Sequence, residues 1–326
     1  GRRNDLTALT PFAACPGALR RNKAASPKWL GVRRLRLLPS IHSLGAALGI
    51  GVKIERYEAL IHELLGLSAH TDGRMGSWHH CEATTILSKI CLTSLSTLLL
   101  IPSSRTFNGK VWDISTLAAL SRSITESYAA LRYIAVERIS DDERDLRRIL
   151  WEFHREADRL RMLQATVPDS PGIPQVTANR DVLRARLTQN QVFLGFRQKF
   201  QERLLEGEDN TTKSRIDLCK DAGINPNLFR GMYKYLSCYA HPSPFGLSSL
   251  YHHKAGESET LDLIDLITNW TSGLIAFSIR DFAEVFPDQK EQITKSTWDD
   301  IGEWQTILTW NFQGLRDMNH GNPQGV

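Results

Sequence analysis

The stretch DISTLAALSRSITESYAALRYIAVER, residues 113–138, decides the fold class of this protein. Its larger apolar side chains recur every three or four residues, which is the spacing that lines one face of an α-helix. The opposite side is also rich in alanine, so we expect this helix to be nearly apolar all round and central in the fold. Two charged residues, Arg122 and Glu126, lie four positions apart on one of its faces.

The segments on the C-terminal side of this helix also have a helical pattern. Ser140 and Glu143 form a capping box, which opens a second helix. The run VPDSPGIP, residues 167–174, interrupts the pattern because three prolines and a glycine cannot continue a helix. Further helices are predicted in the segments 177–204, 226–241, 260–285 and 288–311, with a short one ending at Ala222.

No stretch alternates polar and apolar residues between turn dipeptides, as a half-buried strand would. The sequence therefore predicts an all-α protein, a multi-helix bundle of roughly eight helices with no significant β-sheet. The most apolar run, Ile86 to Ile101, contains Lys89 and is shorter than a membrane span. We interpret it as a buried helix and expect no membrane association.

Composition and charge divide the 326 residues unequally. Residues 1–50 contain nine Lys and Arg and one acid, whereas the remaining 276 contain 31 basic and 35 acidic residues. We predict a basic leader at 1–50, either disordered or a non-native extension, and a single all-helical domain at 51–326 with a possible sub-division at the loop 167–176. A body of this charge has no global attraction to nucleic acid. Five widely spaced cysteines without a Cys-x-x-Cys pair favour a cytoplasmic location.

Arg122 and Glu126 are the first candidate functional pair. Buried charges need partners, because moving one isolated charge out of water costs several kcal/mol. The pair is either an internal salt bridge that fixes helix register, or an anion site in which Glu126 orients a guanidinium suited to phosphate.

The second candidate group lies on the helix that follows the capping box. Arg147 and His154 share one flank of this helix with Trp151, Asp158 and Arg161. A histidine beside arginines can serve acid–base chemistry or bind a phosphodiester. A solvated, salt-bridged flank explains the same residues.

The third candidate group is YKYLSCYAHPSPFGL, residues 233–247. His241 ends a helix just before a proline, where the helix dipole favours an imidazolium. Ser237 lies four positions before it, and we expect Ser237 and Tyr235 to form a polar cluster with Arg147. His241 is either a structural cap that closes a polar cluster with Ser237, or a catalytic group.

Metal and cofactor signals are weak in this sequence. The pairs His79-His80 and His252-His253 place ligands at adjacent positions, which point about 100° apart on a helix. Glycine-rich phosphate loops, a Gly-x-Ser-x-Gly elbow and His-Glu-x-x-His are absent. We therefore predict neither a metal site nor a cofactor.

Three segments together resemble a known family. They are ALSRSITESYAALRYI (119–134), RRILWEFHREADRLRML (147–163) and KSRIDLCKDAGINPNLFRGMYKYLSCYAHPSP (213–244). Over residues 113–250 they are similar to a family of uncharacterised bacterial all-helical proteins, with an Arg and a Glu in one helix and a Tyr, Leu-Ser, His-Pro signature in a later one. The resemblance implies that Arg122, Glu126, Ser237 and His241 are the site residues, and it implies no activity.

A looser similarity is to HEPN-type helical domains, some of which are ribonuclease toxins or defence effectors. These use an arginine followed after four to six residues by a histidine. That spacing occurs at Arg36/His42, Arg56/His62, Arg74 with His79 or His80, and Arg147 or Arg148 with His154. His241 has no arginine at this distance, since Arg230 lies eleven residues before it.

Two hypotheses for function remain. The first, which we favour from sequence, is a soluble helical protein that acts through a protein partner or as its own homodimer, with Arg122, Glu126 and His241 in a buried polar network. The second is a metal-independent ribonuclease or nucleotide-binding effector, with RNA or a nucleotide as ligand and His241 or His154 as general acid–base. A sealed network would favour the first hypothesis. Convergence of His154, Arg122 and His241 on an open, positive pocket would favour the second.

Overall fold

The computed structural model describes residues 54–74, 76–101 and 112–309, and only the backbone of residues 250–252 among them. Within these ranges the chain is all-α, with twelve α-helices and no strand. The helices are α1 (Ile54–Thr71), α2 (Trp78–Leu100), α3 (Ile114–Leu131), α4 (Asp141–Thr166), α5 (Ile173–Gln189), α6 (Gln191–Leu194), α7 (Gln198–Leu205), α8 (Arg215–Asp221), α9 (Pro226–Ala240), α10 (Pro244–His252), α11 (Ser258–Val285) and α12 (Lys295–Thr309). A π-helical turn, Arg132–Val136, follows α3, and a 3₁₀ turn, Pro287–Gln292, precedes α12.

The all-α prediction is confirmed, but the expected count of roughly eight helices is too low. Eight of the twelve α-helices have at least 15 residues, and the other four have nine or fewer. The segment expected to be one helix from 177 to 204 is three helices, α5, α6 and α7. Asn190 causes the first break, because its side chain accepts from the N–H groups of Val192 and Phe193 and so starts a new helix.

The first core helix, α3, packs against α2, α9 and α11. Ten of its 18 residues are buried. The most enclosed helix is α11, in which 20 of 28 residues are buried. The prediction that α3 is central therefore holds, and α11 is a second central helix. The uncovered part of α3 presents Arg122 and Glu126, both only partly buried.

Buried ion pairs between charged side chains hold the connection that follows α3. Arg147 on α4 is 1 % exposed and lies with its guanidinium carbon 4.1 Å from the centroid of the Tyr133 ring. It donates to the Tyr133 carbonyl oxygen, to Glu137 Oε2 at 2.7 Å and to Glu143 Oε1. These bonds fix the π-helical turn against the start of α4.

The apolar core has two parts in the described residues. The larger joins α1, α2, α3, α8, α9, α11 and α12. The smaller is formed by α4 to α7 around Phe153, Leu187 and Phe193. The predicted leader at 1–50 lies outside the described residues, and the domain boundaries stay predictions.

Helix α2 is longer than its most apolar run suggested. Of the helices in the described ranges, it alone is long and apolar enough to cross a membrane, judged by length and composition only. In its most apolar window 44 % of the residues are buried inside the protein. A helix in the core of a folded protein can have the same length and apolar composition.

Candidate functional site

His241 stands where α9 ends, and Pro242 sets that position. A residue before proline is forced out of the α-helical region, because the proline ring clashes with its backbone. His241 accordingly has φ −121° and ψ 153°, and the last helical residue is Ala240. The imidazole therefore leaves the helix surface and becomes exposed.

The next turn holds this conformation. Ser243 caps α10 by accepting from the N–H of Gly246 at 3.1 Å, and its hydroxyl donates to the Cys238 carbonyl oxygen at 2.7 Å. Gly246 lies so close to that carbonyl that an added Cβ would overlap its oxygen. The segment 241–246 is thus tied back onto the last turn of α9.

Packing of α9 on α3 brings four polar side chains together, and we call them the Arg122 cluster: Arg122, Glu126, Tyr233 and His241. Arg122 Nη1 lies 2.7 Å from His241 Nε2, and Arg122 Nε donates to Glu126 Oε1 at 3.2 Å. The Tyr233 hydroxyl donates to the same Glu126 oxygen at 2.7 Å and accepts from Arg122 Nη2 at 3.3 Å. The guanidinium carbon of Arg122 is 5.2 Å from the centroid of the Tyr233 ring.

The Arg122 cluster is accessible, which corrects the expectation of a buried network. The Arg122 side chain is 24 % exposed, the Glu126 side chain is 36 % exposed, and His241 is exposed. The physical reason is that α2 and α11 cover other sides of α3, while α9 covers this face only in part. Solvent and a ligand can therefore reach the guanidinium.

Neighbouring groups fix the protonation of two members. Burial raises the pKa of Tyr233, and its hydrogen bond to Glu126 raises it further, although Arg215 and Arg122 act in the opposite direction. Burial alone would lower the pKa of Arg122, but its bonds to Tyr233 and the Glu126 charge outweigh this and raise it. Tyr233 is thus a neutral hydroxyl donor, and Arg122 a permanent cation.

Ser237 and Tyr235 do not join the Arg122 cluster. The Ser237 hydroxyl donates at 2.6 Å to the carbonyl oxygen of Tyr233 in its own helix, and not to His241. Tyr235 is 8 % exposed and faces the core, where its ring centroid lies 4.9 Å from that of Tyr239. The expected polar cluster of His241 with Ser237 is therefore replaced by a cluster with Arg122.

Arg147 and His154 also lie elsewhere. Arg147 forms the buried ion pairs with Glu137 and Glu143 described above, so it does not contact Ser237 or Tyr235. His154 Nδ1 lies 3.2 Å from Asp158 Oδ2 within α4. Of the expected site residues, the structure brings together Arg122, Glu126 and His241 alone.

Sequence reasoning missed the roles of two residues. Tyr233 links Glu126 to Arg122, and the guanidinium carbon of Arg215 lies 5.9 Å from the centroid of the Tyr233 ring. Tyr233 opens the polar and aromatic segment 233–247 that ends α9, and this was a signal for the tyrosine. Nothing local singles out Arg215, because its place depends on how α8 packs.

Metal ligands are not clustered in the part of the chain that the structure describes. Nowhere in residues 54–74, 76–101 and 112–309 do three His, Cys, Asp or Glu side chains come close enough to share an ion. His79 and His80 are near each other, with ring centroids 4.2 Å apart, and both contact the Ser77 hydroxyl. Two nitrogens and a hydroxyl are too few ligands for a closed zinc site.

Comparison with known proteins gives one match. Residues 83–259, more than half of the chain, match the Family of unknown function (DUF5677). The chain belongs to this family. The DUF5677 region contains all four members of the Arg122 cluster and includes the stretch 113–250 on which the resemblance to an uncharacterised family rested, so that resemblance is confirmed.

The DUF5677 match brings no activity with it. Neither the curated proteins nor the solved structures contain a match to this chain. Similarity to HEPN-type domains is not found in the family comparison, and it stays a hypothesis.

Proposed function

We propose that this protein cleaves RNA without a metal ion, and that the Arg122 cluster is its active site. The supporting observation is the open contact between Arg122 and His241, with Glu126 on the same guanidinium. A carboxylate can accept a proton, an imidazole can donate one, and a guanidinium can hold phosphoryl oxygens. That set matches a phosphodiester whose nucleophile is its own 2′-hydroxyl.

Glu126 acts as the general base. Its Oε1 already accepts from Arg122 and Tyr233, whereas Oε2 accepts no hydrogen bond from the described residues. Oε2 takes the proton of the 2′-hydroxyl as the 2′-oxygen attacks phosphorus. The bonds at Oε1 hold the carboxylate in place during this transfer.

His241 acts as the general acid. Substrate phosphate inserts between Arg122 and His241, so that protonated His241 and the guanidinium both donate to it. His241 then gives its proton to the 5′-oxygen as the bond from phosphorus to that oxygen breaks. The products are a 2′,3′-cyclic phosphate and a 5′-hydroxyl, so atoms and charge balance without an added water.

Arg122 and Tyr233 stabilise the charge that grows on the phosphoryl oxygens. Donors already positioned for a transition-state anion contribute a large part of many rate accelerations. Between the two hypotheses from sequence, exposure of the Arg122 cluster supports the enzyme, although only Arg122 and His241 of the three expected residues meet there. His154 takes no part in this proposal, because its partner is Asp158 on its own helix.

The test is cleavage of a labelled RNA by the full chain in excess EDTA. We expect 2′,3′-cyclic phosphate ends, no cleavage of the matched DNA, and a loss of at least about 100-fold in kcat for His241→Ala and Glu126→Gln. The control is His154→Ala, which should cleave normally, and thermal melts show that each variant is folded. Equal cleavage of DNA, or full RNA cleavage by folded His241→Ala, would overturn the proposal. So would an unmodified protein that does not cleave RNA.

Self-association is the second candidate function, and a surface of α2 favours it. Leu92 is 66 % exposed and Leu99 is 46 % exposed, and they lie seven positions apart on one helical face. A second copy of this chain could cover both. Light scattering should give a dimer mass for the full chain and a monomer mass for Leu92→Glu with Leu99→Glu; a monomer at all concentrations would rule this candidate out.

A further inference from the structure

A cleft of about 260 Å³ lies next to the Arg122 cluster and shares Glu126 with it. Helices α2, α3, α4 and α8 and the loop before α8 form its walls. Beside Glu126, its polar lining includes Ser127, Lys89, Trp151, Asn210, Thr211 and Arg215. This volume is close to the lower limit of small-molecule sites, so the cleft suits one nucleotide unit and not a larger ligand.

Two cations at this cleft have no carboxylate partner in the described residues. Lys89 and Arg215 are exposed, and neither forms an ion pair there. By contrast, the nearby Lys213 pairs with Glu137 at 2.6 Å and with Asp221 at 3.4 Å. Unpaired cations around a concave surface attract phosphate.

Trp151 gives the cleft an aromatic wall of fixed orientation. Its indole Nε1 donates to Glu82 Oε2 at 3.2 Å, and the ring is partly buried against the larger core. Nucleobases stack on such rings whatever their sequence. The side-chain amide of Asn210 makes no hydrogen bond to the described residues, and an amide can both donate to and accept from a base edge.

We propose that this cleft binds one nucleotide of the substrate, with the base on Trp151 and its edge against Asn210, and with phosphate held by Lys89 and Arg215. The inference rests on the proposed function, because Glu126 would serve the cleft and the reaction together. It adds a specificity site: Asn210 selects among bases, while Trp151 and Lys89 set affinity.

Two measurements on the full chain test this site. The first is calorimetry of the binding of the four 2′-deoxynucleoside 3′-monophosphates. These probes have no 2′-hydroxyl and therefore cannot undergo the proposed reaction. We expect Trp151→Leu to weaken binding at least about fivefold, the lower end for loss of a base stack. Arg215→Gln should weaken it similarly, whereas Lys220→Gln on the same helix is the matched control and should leave it unchanged.

The second measurement is RNA cleavage. Trp151→Leu and Lys89→Gln should raise KM with little change in kcat, and Asn210→Ala should change the preference among bases. Nucleotide binding that depends on Trp151, in a protein that does not cut RNA, would support the cleft and defeat the proposed reaction. RNA cleavage with unchanged KM in folded Trp151→Leu and Lys89→Gln would defeat the cleft alone.

Discussion

Arg122 Nη1 and His241 Nε2 lie 2.7 Å apart although the residues are 119 positions apart in the chain. A guanidinium has donors only, so the imidazole nitrogen must be the acceptor in this contact. In the proposed reaction, a phosphate that inserts between the two gives both side chains an acceptor.

Arg122→Lys tests whether the guanidinium geometry matters. Lysine keeps the charge but cannot reach Glu126, Tyr233 and phosphate together. We expect RNA cleavage to fall by about 100- to 1,000-fold, as for loss of one oxyanion donor, while the melting temperature changes little because the side chain is partly exposed. Arg230→Lys on the exposed side of α9 is the control. Unchanged kcat in folded Arg122→Lys would contradict the assigned role.

Gly246→Ala tests the turn that positions His241. The new Cβ would overlap the Cys238 carbonyl oxygen, so α10 must move. We expect a loss of about 1–3 kcal/mol in the free energy of unfolding, as in overpacked cores, with reduced cleavage. Gly231→Ala is the matched control, since nothing lies within 4 Å of its Cβ position; it should be neutral or stabilising by up to about 1 kcal/mol. Equal urea midpoints for the two variants would show that the close approach is unimportant.

Arg147→Met tests the buried ion pairs that hold the π-helical turn against α4. Removing this cation leaves Glu137 and Glu143 short of a partner, and loss of one member of a buried pair costs about 3–5 kcal/mol. The neighbour Arg148 pairs with Asp145 at the surface, so Arg148→Met should cost less than about 1 kcal/mol. Urea unfolding of both variants measures the difference. Similar losses would mean that burial of Arg147 adds nothing.

His79 should make stability depend on pH. Burial, with the nearby charges of His80 and Arg144, lowers the pKa of His79 from 6.5 to about 4. Between these values the unfolded chain binds a proton that the folded chain does not, so the free energy of unfolding falls as pH drops from 6.5 to 4. His79→Gln should lose less stability between pH 7 and pH 4.5, about the limits of that window, than the unmodified protein. The exposed His62→Gln is the control, and parallel curves for all three proteins would refute the prediction.

The fold class and three members of the Arg122 cluster were predictable because their signals are local. Three-four spacing identified α3, and the capping serine was found as expected, with Ser140 accepting from the Glu143 N–H. The Glu143 side chain instead pairs with Arg147, because a buried guanidinium competes better for it than the backbone does. Short helices such as α6 were missed, since four residues are too few for a periodic signal.

The sequence by itself determined that the described chain is helical, that α9 ends before Pro242, and that Arg122, Glu126 and His241 are candidate residues. Only the tertiary structure decided which candidates meet. Periodicity reports which face of one helix a residue occupies, whereas contacts between helices depend on how side chains of distant segments interlock. That packing placed Arg122 beside His241 and Tyr233, buried Arg147 with its glutamates, and left His154 on a separate flank.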